Sequence, residues 1–241
     1  MIFKLAKDDL KTQFVKKVVG GKVLILSPHP DDEMIGCGGA IIKHIAASDT
    51  LKVIHFTDGS GGFPDDSKPS EVEKKEMAKI REAEANEVKE AFGIDDVVFL
   101  KFKDSKLNAS KSLVNYLSQQ IKDYNPDVIY VPSFLDTNLD HQETAKCLTM
   151  ALKGIKNKIV IMQYEVWSPA YANVYLDIDK EMDKKIQAIK IYQSQLKSRD
   201  YAKAIEGLNL YRGTIYGKSK YAEGYLKTDL NTYLKLAELV F

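Results

Sequence analysis

"KVLILSPHPDDE" (residues 22–33) joins an apolar run to a turn that carries one histidine and three acids. The run KVLILS is typical of a strand that is buried on both faces, as in a parallel sheet. Adjacent carboxylates at the end of such a strand raise each other's pKa unless a cation lies between them. The stretch therefore predicts a central strand with a charged site at its carboxyl end.

Similar apolar runs recur along the chain and alternate with amphipathic segments. The predicted strands after the first are 51–57, 97–102, 127–132 and 158–166. Predicted helices cover about 70–92, 110–126 and 181–196; the first has capping-box spacing at Ser70 and Glu73 and ends before Gly93. This alternation predicts an α/β fold with right-handed crossovers, in which a mostly parallel sheet has helices on both faces.

The length of 241 residues and the 44% hydrophobic content fit one domain with a sizeable core. We expect a single domain over 1–241, with its core at about 20–165 and C-terminal elements at 166–241 that complete the pocket. The strand–helix alternation weakens after about residue 167, so the pattern gives no clear elements there.

The balance of charged residues gives a net charge of +1, which provides no reason to expect nucleic acid or an anionic membrane as a partner. Apolar runs such as 23–26 are far shorter than the roughly 20 residues of a membrane span. The two cysteines form no C-x-x-C pair, and the first 20 residues lack the apolar stretch of a signal peptide. These features predict a cytoplasmic protein and leave a homo-oligomer open.

Residue types at the strand ends favour a metal site. His29 and Asp32 lie in the turn after the first strand, and His141 lies in an acidic loop after the strand at 127–132. One imidazole and one carboxylate are two thirds of a catalytic zinc site with three protein ligands, so the third ligand should come from another strand end. The alternative is that Asp31 or Asp32 only caps the following helix.

The other two histidines have positions that favour packing roles. His44 lies in the helix after the acidic turn, and His55 lies within a predicted strand. Cys37 and Cys147 are likewise predicted to be buried structural thiols.

Six motifs give the chain a specific resemblance. They occur in order as PHPDDE (28–33), TDGSGG (57–62), DTNLDH (136–141), KIQAIKIYQSQ (185–195), YRG (211–213) and YAEGY (221–225). The chain resembles the zinc-dependent deacetylases related to N-acetylglucosaminyl-phosphatidylinositol de-N-acetylase (PIG-L), including the LmbE-like bacterial members. The resemblance implies a Rossmann-like sheet, a Zn²⁺ cofactor and hydrolysis of the N-acetyl amide of an amino sugar.

The resemblance also implies roles for residues at matching positions. His29, Asp32 and His141 look like the zinc ligands, and Asp31 looks like the general base. Asp31 would take a proton from the attacking water and return it to the leaving amine.

The chain departs from the family at Asn138, where many members have a histidine that is thought to help the tetrahedral intermediate. Asparagine can donate a hydrogen bond to that intermediate but gives no proton at neutral pH. Asp140 is similar to the acid that supports the missing histidine, so it is expected beside the metal ligands.

Three further residues are candidates for the site, and Arg81 and Asp104 also have a purely structural interpretation. Arg81 matches a region where the family often has a substrate-contacting arginine, although most of its helix reads as a solvated charged face. Asp104 follows the third predicted strand and could bind substrate or simply form a turn. Asp58, in the glycine-rich loop, is expected to support the metal ligands.

Two other functions compete with hydrolysis of a soluble, small-molecule amino sugar. A nucleotide- or sugar-binding module could hold magnesium at the same acids, but no phosphate-binding glycine motif follows the first strand. A catalytically weak or inactive descendant could keep zinc and carbohydrate binding, which the change at Asn138 would suggest and the retained Asp31 opposes.

Overall fold

The computed structural model describes residues 11–64, 66–216 and 218–241. Its strands are β1 (Gln13–Val15), β2 (Lys22–Ser27), β3 (Thr50–Thr57), β4 (Asp96–Phe102), β5 (Val128–Pro132), β6 (Val160–Tyr164), β7 (Val174–Asp177) and β8 (Ala222–Asp229). Its helices are α1 (Asp32–Ala46), α2 (Glu71–Phe92), α3 (Lys111–Tyr124), α4 (Leu139–Ala151), α5 (Met182–Ile191), α6 (Gln193–Leu196), α7 (Tyr201–Tyr216) and α8 (Leu230–Ala237).

The strands form one sheet in the order β1-β7-β8-β6-β5-β2-β3-β4. Five neighbouring strands, β4, β3, β2, β5 and β6, run parallel to one another. Strand β8 is antiparallel to both of its neighbours, β6 and β7. The predicted α/β fold with a mostly parallel sheet is confirmed. The five neighbouring parallel strands are those that the sequence predicts. Strands β1 and β7, which pair parallel with each other, and strand β8 are additions that it does not predict.

Helices cover both faces of the sheet, which explains the unbroken apolar runs in its central strands. In β2, Val23 and Ile25 pack in one core with α1, α2 and α5, while Leu24 and Leu26 pack in the other with α3, α4 and α8. Every one of these four side chains is fully buried. Among the described helices, none has the length and apolarity needed to cross a bilayer.

The predicted helix signals are present, with one difference. Ser70 and Glu73 form a reciprocal capping box at the start of α2, and Gly93 ends the helix with φ 74°. The segment predicted as one helix over 181–196 is broken at Tyr192 into α5 and α6. Two hydrogen bonds to buried carboxylates lie at this break: the Tyr192 hydroxyl donates to Glu33, and the Ser194 backbone amide donates to Glu84 at 2.8 Å.

Helix α1 is kinked at Cys37, whose φ of −137° and ψ of 25° are not helical. The kink leaves backbone N–H groups without helical partners, and Gly39 and Ala40 donate to the Glu223 carboxylate on β8 at 2.7 and 2.9 Å. Lys185, which is fully buried, neutralises that carboxylate at 2.7 Å. A C-terminal strand therefore fixes the helix whose first turn carries the acidic motif.

Gly36→Ala is expected to destabilise the fold, because a β-carbon at this position would lie 2.1 Å from Cδ2 of Tyr164. The ring cannot retreat easily, since Tyr164 is fully buried and its hydroxyl donates to the Leu26 carbonyl at 2.7 Å. We expect a loss of about 1–3 kcal/mol in the free energy of unfolding, measured by urea denaturation. Gly207→Ala is the control, because its β-carbon would meet nothing within 4 Å. It should stabilise helix α7 by about 0.5–1 kcal/mol, and equal losses in both variants would contradict the steric argument.

Candidate metal centre and active site

The candidate site lies where neighbouring parallel strands end. Strands β2 and β5 pair in register, so their carboxyl ends reach the same edge of the sheet. The turn after β2 leads into α1 with His29 and Asp32, and the loop after β5 leads into α4 with His141. This edge is where open α/β sheets place their ligands.

Three ligand atoms converge at this edge. His29 Nδ1 lies 2.9 Å from Asp32 Oδ2, His141 Nε2 lies 3.1 Å from the same oxygen, and the two nitrogens are 3.3 Å apart. Tetrahedral ligands at about 2.0–2.1 Å from a zinc ion lie roughly 3.3 Å from one another. All three side chains are buried, and their donor types and spacing fit a metal ion held between them.

The electrostatics of this cluster also favour a cation. Burial disfavours charged imidazoles, but the Asp32 and Asp104 carboxylates raise the pKa of His29 well above its ordinary value. Burial acts in the same way on His141, yet Asp32 raises its pKa to about 9. Burial alone would raise the pKa of Asp32, whereas His141 and His29 lower it well below its usual range. Positive charge is therefore stabilised at this point, and a metal ion can supply it in place of protons.

Carboxylates behind the two histidines face their other ring nitrogens. Asp140 Oδ2 lies 3.2 Å from His29 Nε2 and is itself held by the Ser105 amide at 2.7 Å. Asp136 Oδ1 lies 3.4 Å from His141 Nδ1. Such contacts fix the ring orientation of metal-binding histidines, so the ring nitrogens that face Asp32 are free to bind a metal.

Asp136 is a site residue that the sequence analysis does not single out, although it begins the DTNLDH motif. Besides facing His141, its carboxylate accepts hydrogen bonds from the backbone amides of Asn138 at 2.9 Å and Trp167 at 3.1 Å. Asp136 thus links a candidate metal ligand to two residues that line the cavity above it. A carboxylate five positions before His141 was the available signal.

Asp58 lies in the glycine-rich loop and contacts neither candidate histidine ligand. Its Oδ1 accepts from the backbone amides of Ser60 at 3.0 Å and Asp104 at 3.2 Å. Asp104, in turn, lies on the cavity wall with its Oδ1 3.6 Å from His29 Nε2. Asp58 therefore shapes the loop that presents Asp104 to the cavity.

The remaining two acids of the turn have separate partners, which explains how the chain holds three carboxylates together. Asp31 accepts a hydrogen bond from Arg81 Nη2 at 2.7 Å. Glu33 lies under the turn, where its carboxylate accepts from Ser27 Oγ and the Asp31 amide, both at 3.1 Å, and from the Tyr192 hydroxyl. Each acid is thus stabilised by a different group.

Asp31 faces the cavity in an unusual backbone conformation. It occupies the N-cap position of α1 with φ 130°, and its side chain makes no capping hydrogen bond. A non-glycine residue at such a φ is strained, and strain of this kind is common at functional sites. Burial raises the pKa of the Asp31 carboxyl to about 7, against the opposing effect of Arg81. A carboxyl group with these properties is suited to accepting and returning a proton.

Arg81 supports this turn from helix α2. Its Nε and Nη2 donate to the Pro30 carbonyl at 3.2 and 2.5 Å, and its Nη1 donates to the Gly59 carbonyl at 3.1 Å. With the Asp31 contact, each of its three nitrogens bonds to the protein, although the side chain also lines the cavity. Arg81 therefore holds the acidic turn in place, and its predicted contact with substrate stays a prediction.

An open cavity of about 190 Å³ lies over the cluster. Asp31, Asp32 and His29 line its base, and Asn138 lies on its wall with its Oδ1 accepting from the Asp140 amide at 2.8 Å. The C-terminal part of the chain supplies wall residues that the sequence analysis does not assign to the site: Val166, Gln195, Ser198, Arg199 and Tyr201. Trp167 also lines the cavity, with 44% of its surface exposed.

Asp136→Asn is expected to weaken metal binding about 10- to 100-fold, because the amide replaces the carboxylate that faces His141. Competition with a chromophoric chelator measures this affinity without reference to activity. Asp58→Asn is the matched control, since Asp58 holds backbone amides but touches neither histidine. Equal affinities in the Asp136 variant and the wild-type protein would show that Asp136 does not support the metal centre.

Comparisons with known proteins give a consistent result. A family model described as PIG-L, GlcNAc-PI de-N-acetylase, matches residues 24–152. The chain is 25% identical over 222 residues to diacetylchitobiose deacetylase from Thermococcus kodakarensis, covering 84% of this chain and 81% of that protein. It is 24% identical over 191 residues to a probable N-acetyl-alpha-D-glucosaminyl L-malate deacetylase 2 from Bacillus anthracis, covering 73% and 82%.

A solved structure shows the same fold. It is the N,N'-diacetylchitobiose deacetylase from Pyrococcus horikoshii complexed with its inhibitor MPG, with a TM-score of 0.76 at 24% identity. The match covers 88% of this chain and 85% of that one.

Proposed function

Because this chain belongs to the PIG-L family of de-N-acetylases, we propose that it is a zinc-dependent hydrolase of N-acetylated amino sugars. Its products are acetate and a sugar with a free amine. The observation that carries this proposal is the convergence of His29, Asp32 and His141 beside an open cavity, which His29 and Asp32 line together with Asp31.

Zinc fits the donor set better than magnesium, because two imidazoles and one carboxylate match catalytic zinc sites while magnesium favours oxygen ligands. His29, Asp32 and His141 would hold the zinc ion, which would supply Lewis-acid polarisation of the acetyl carbonyl and make the attacking water more acidic. The cluster therefore supports zinc over the magnesium-binding alternative.

The protein's own groups carry the proton transfers. Asp31 accepts the proton of the attacking water and returns it to the nitrogen of the leaving amine. Arg81 keeps its carboxylate in place through the 2.7 Å hydrogen bond. Asn138 and Asp104 lie on the cavity wall, where they can hydrogen-bond the acetamide group and the sugar hydroxyls.

The two similar curated proteins share an N-acetylglucosamine-type unit but differ in what is attached to it. We therefore propose that unit as the part of the substrate that reaches the metal. The cytoplasmic location and a homo-oligomeric state stay predictions from the sequence.

Acetate release tests the proposal. Purified protein is stripped with a chelator and assayed with N-acetylglucosamine and N,N'-diacetylchitobiose, without metal, with zinc and with magnesium. We expect acetate only after zinc is restored. Stoichiometric zinc binding without acetate release from either sugar would favour the inactive carbohydrate-binding alternative.

A further inference from the structure

The cavity beside the candidate metal centre is small. Its volume of about 190 Å³ lies below the roughly 300–1,000 Å³ that is typical of small-molecule sites. We therefore expect the cavity to hold a single N-acetylated sugar unit. Whatever is attached to that unit must lie against the outer part of the cavity wall, and the side chains exposed there decide which attached groups are favoured.

Trp167 is a large apolar residue in a wall whose other members are mostly polar. It is the only tryptophan of the sequence and lies in the loop between β6 and β7. Tryptophan is highly buried in most proteins, yet 44% of the surface of Trp167 is exposed. The indole therefore presents a broad apolar surface to whatever lies at the cavity.

The loop that carries Trp167 is held firmly. The Trp167 amide donates to Asp136 at 3.1 Å, and the Ala170 amide donates to the buried carboxylate of Glu165 at 2.7 Å. Asp136 also faces His141 from 3.4 Å, so the loop is tied to the candidate metal centre. The indole thus lies at a fixed position relative to the point where the acetamide is expected to react.

A second contact restrains the indole ring itself. The guanidinium of Arg199, another residue of the cavity wall, stacks on it with Cζ 5.0 Å from the ring centroid. A cation over the face of an indole is attracted by the ring and holds it in place. The exposed part of Trp167 is therefore a preorganised surface, and a ligand that binds there has little side-chain entropy to remove.

A pyranose ring fits such a surface. The C–H groups on one of its faces form an apolar patch, while its hydroxyls point outward from the edge of the ring and can stay in water. Burial of this patch against an aromatic ring gains hydrophobic and dispersion energy without removing the hydroxyls from solvent. A charged acyclic group gains much less from contact with the same apolar surface.

Given the proposed hydrolysis of N-acetylated amino sugars, on which this inference rests, we propose that Trp167 is a specificity-determining residue that stacks on a second sugar ring. That ring is joined to the unit whose acetamide reaches the metal centre. The favoured substrates are accordingly N-acetylated disaccharides or longer oligosaccharides, and a single N-acetylated sugar is a poorer substrate.

Trp167→Ala tests the proposal, because it removes the indole and keeps the backbone amide that donates to Asp136. We expect kcat/KM for N,N'-diacetylchitobiose to fall by about 10- to 100-fold. The value of kcat/KM for N-acetylglucosamine should stay at that of the wild-type protein, as should zinc affinity measured by chelator competition. Trp167→Phe keeps an aromatic face and should recover part of the loss.

Tyr171→Ala is the matched control, since Tyr171 is an aromatic residue of the same loop, is 60% exposed and is not among the cavity-lining residues. It should leave kcat/KM for both sugars unchanged. Equal losses for the two sugars in Trp167→Ala would assign the indole to the N-acetylated unit or to the fold and overturn the proposal. An unchanged kcat/KM for the disaccharide would overturn it as well, while leaving the proposed deacetylation intact.

A substrate with an acidic group in place of the second ring separates the role of Trp167 from that of Arg199. We expect the wild-type protein to favour N,N'-diacetylchitobiose over N-acetylglucosamine linked to malate. The opposite preference, abolished in Arg199→Ala, would assign this part of the wall to an anionic group and overturn the proposal. Failure of the wild-type protein to release acetate from any of these compounds would overturn both the proposed function and this inference.

Discussion

His141→Ala is expected to remove tight zinc binding and all zinc-dependent acetate release. His141 Nε2 lies 3.1 Å from Asp32 Oδ2 and 3.3 Å from His29 Nδ1, so it closes the ligand triangle. Loss of a contact behind a metal ligand typically lowers metal affinity about 10- to 100-fold. Removal of the ligand itself should lower zinc affinity by more than that. Zinc content after dialysis and competition with a chelator measure the effect.

Stability gives an independent measurement of the same prediction. A ligand that binds only the folded state stabilises it by about 2.7 kcal/mol at a concentration of 100 times its Kd. Zinc at 100 times its Kd should raise the free energy of unfolding of the wild-type protein by about 2.7 kcal/mol. The same zinc concentration should leave the free energy of unfolding of His141→Ala unchanged. The comparison does not depend on the identity of the substrate.

His44→Asn is the matched control for the loss of a buried histidine. His44 is also fully buried, but its ring nitrogens bond to Asp49 at 2.7 Å and to the Tyr130 hydroxyl at 2.9 Å. That variant should lose stability and still bind zinc with the wild-type affinity. Retention of wild-type zinc affinity by His141→Ala would show that the cluster is not the metal site.

The parallel part of the fold could be predicted from the sequence because each of its strands is a local apolar run. Parallel strands that end at one edge also explain why residues as distant in sequence as His29 and His141 could be expected to meet. The contact between them follows from topology, which the strand–helix alternation already indicates.

The C-terminal part could not be predicted in the same way. Strand β8 pairs antiparallel with both β6 and β7, and its position depends on partners far away in the chain. Its residue Glu223 is a buried carboxylate that binds backbone amides of the kinked helix α1. No local pattern in YAEGY distinguishes this role from that of a surface acid.

Side-chain direction was the second limit of the sequence analysis. Arg81 lies on a helix whose exposed face is mostly charged, yet its side chain is buried and bonds to the acidic turn. Tyr201 lines the cavity at the start of α7, a position that the weak pattern after residue 167 does not indicate. Such directions depend on tertiary packing, which periodicity does not encode.

Asp31→Asn is expected to lower kcat by about 100- to 10,000-fold while zinc affinity and KM stay close to the wild-type values. Asparagine keeps the Oδ1 acceptor that receives the 2.7 Å hydrogen bond from Arg81, so the turn should keep its shape. Its amide group cannot accept the proton of the attacking water. Steady-state kinetics of acetate release, with zinc affinity from chelator competition, measure the two effects separately.

Two further variants show whether the loss reflects missing proton transfer. Asp31→Gly suits the backbone φ of 130° and leaves space for a small carboxylate, so added formate should restore part of the lost kcat. Asp104→Asn changes another carboxylate of the cavity wall and should raise KM more than it lowers kcat. Formate should restore kcat in Asp31→Gly but have no effect on Asp104→Asn, because the proton acceptor is missing in the first variant and present in the second. A near-normal kcat for Asp31→Asn would assign the base to another group, and a loss of zinc would mean that Asp31 supports the metal centre instead.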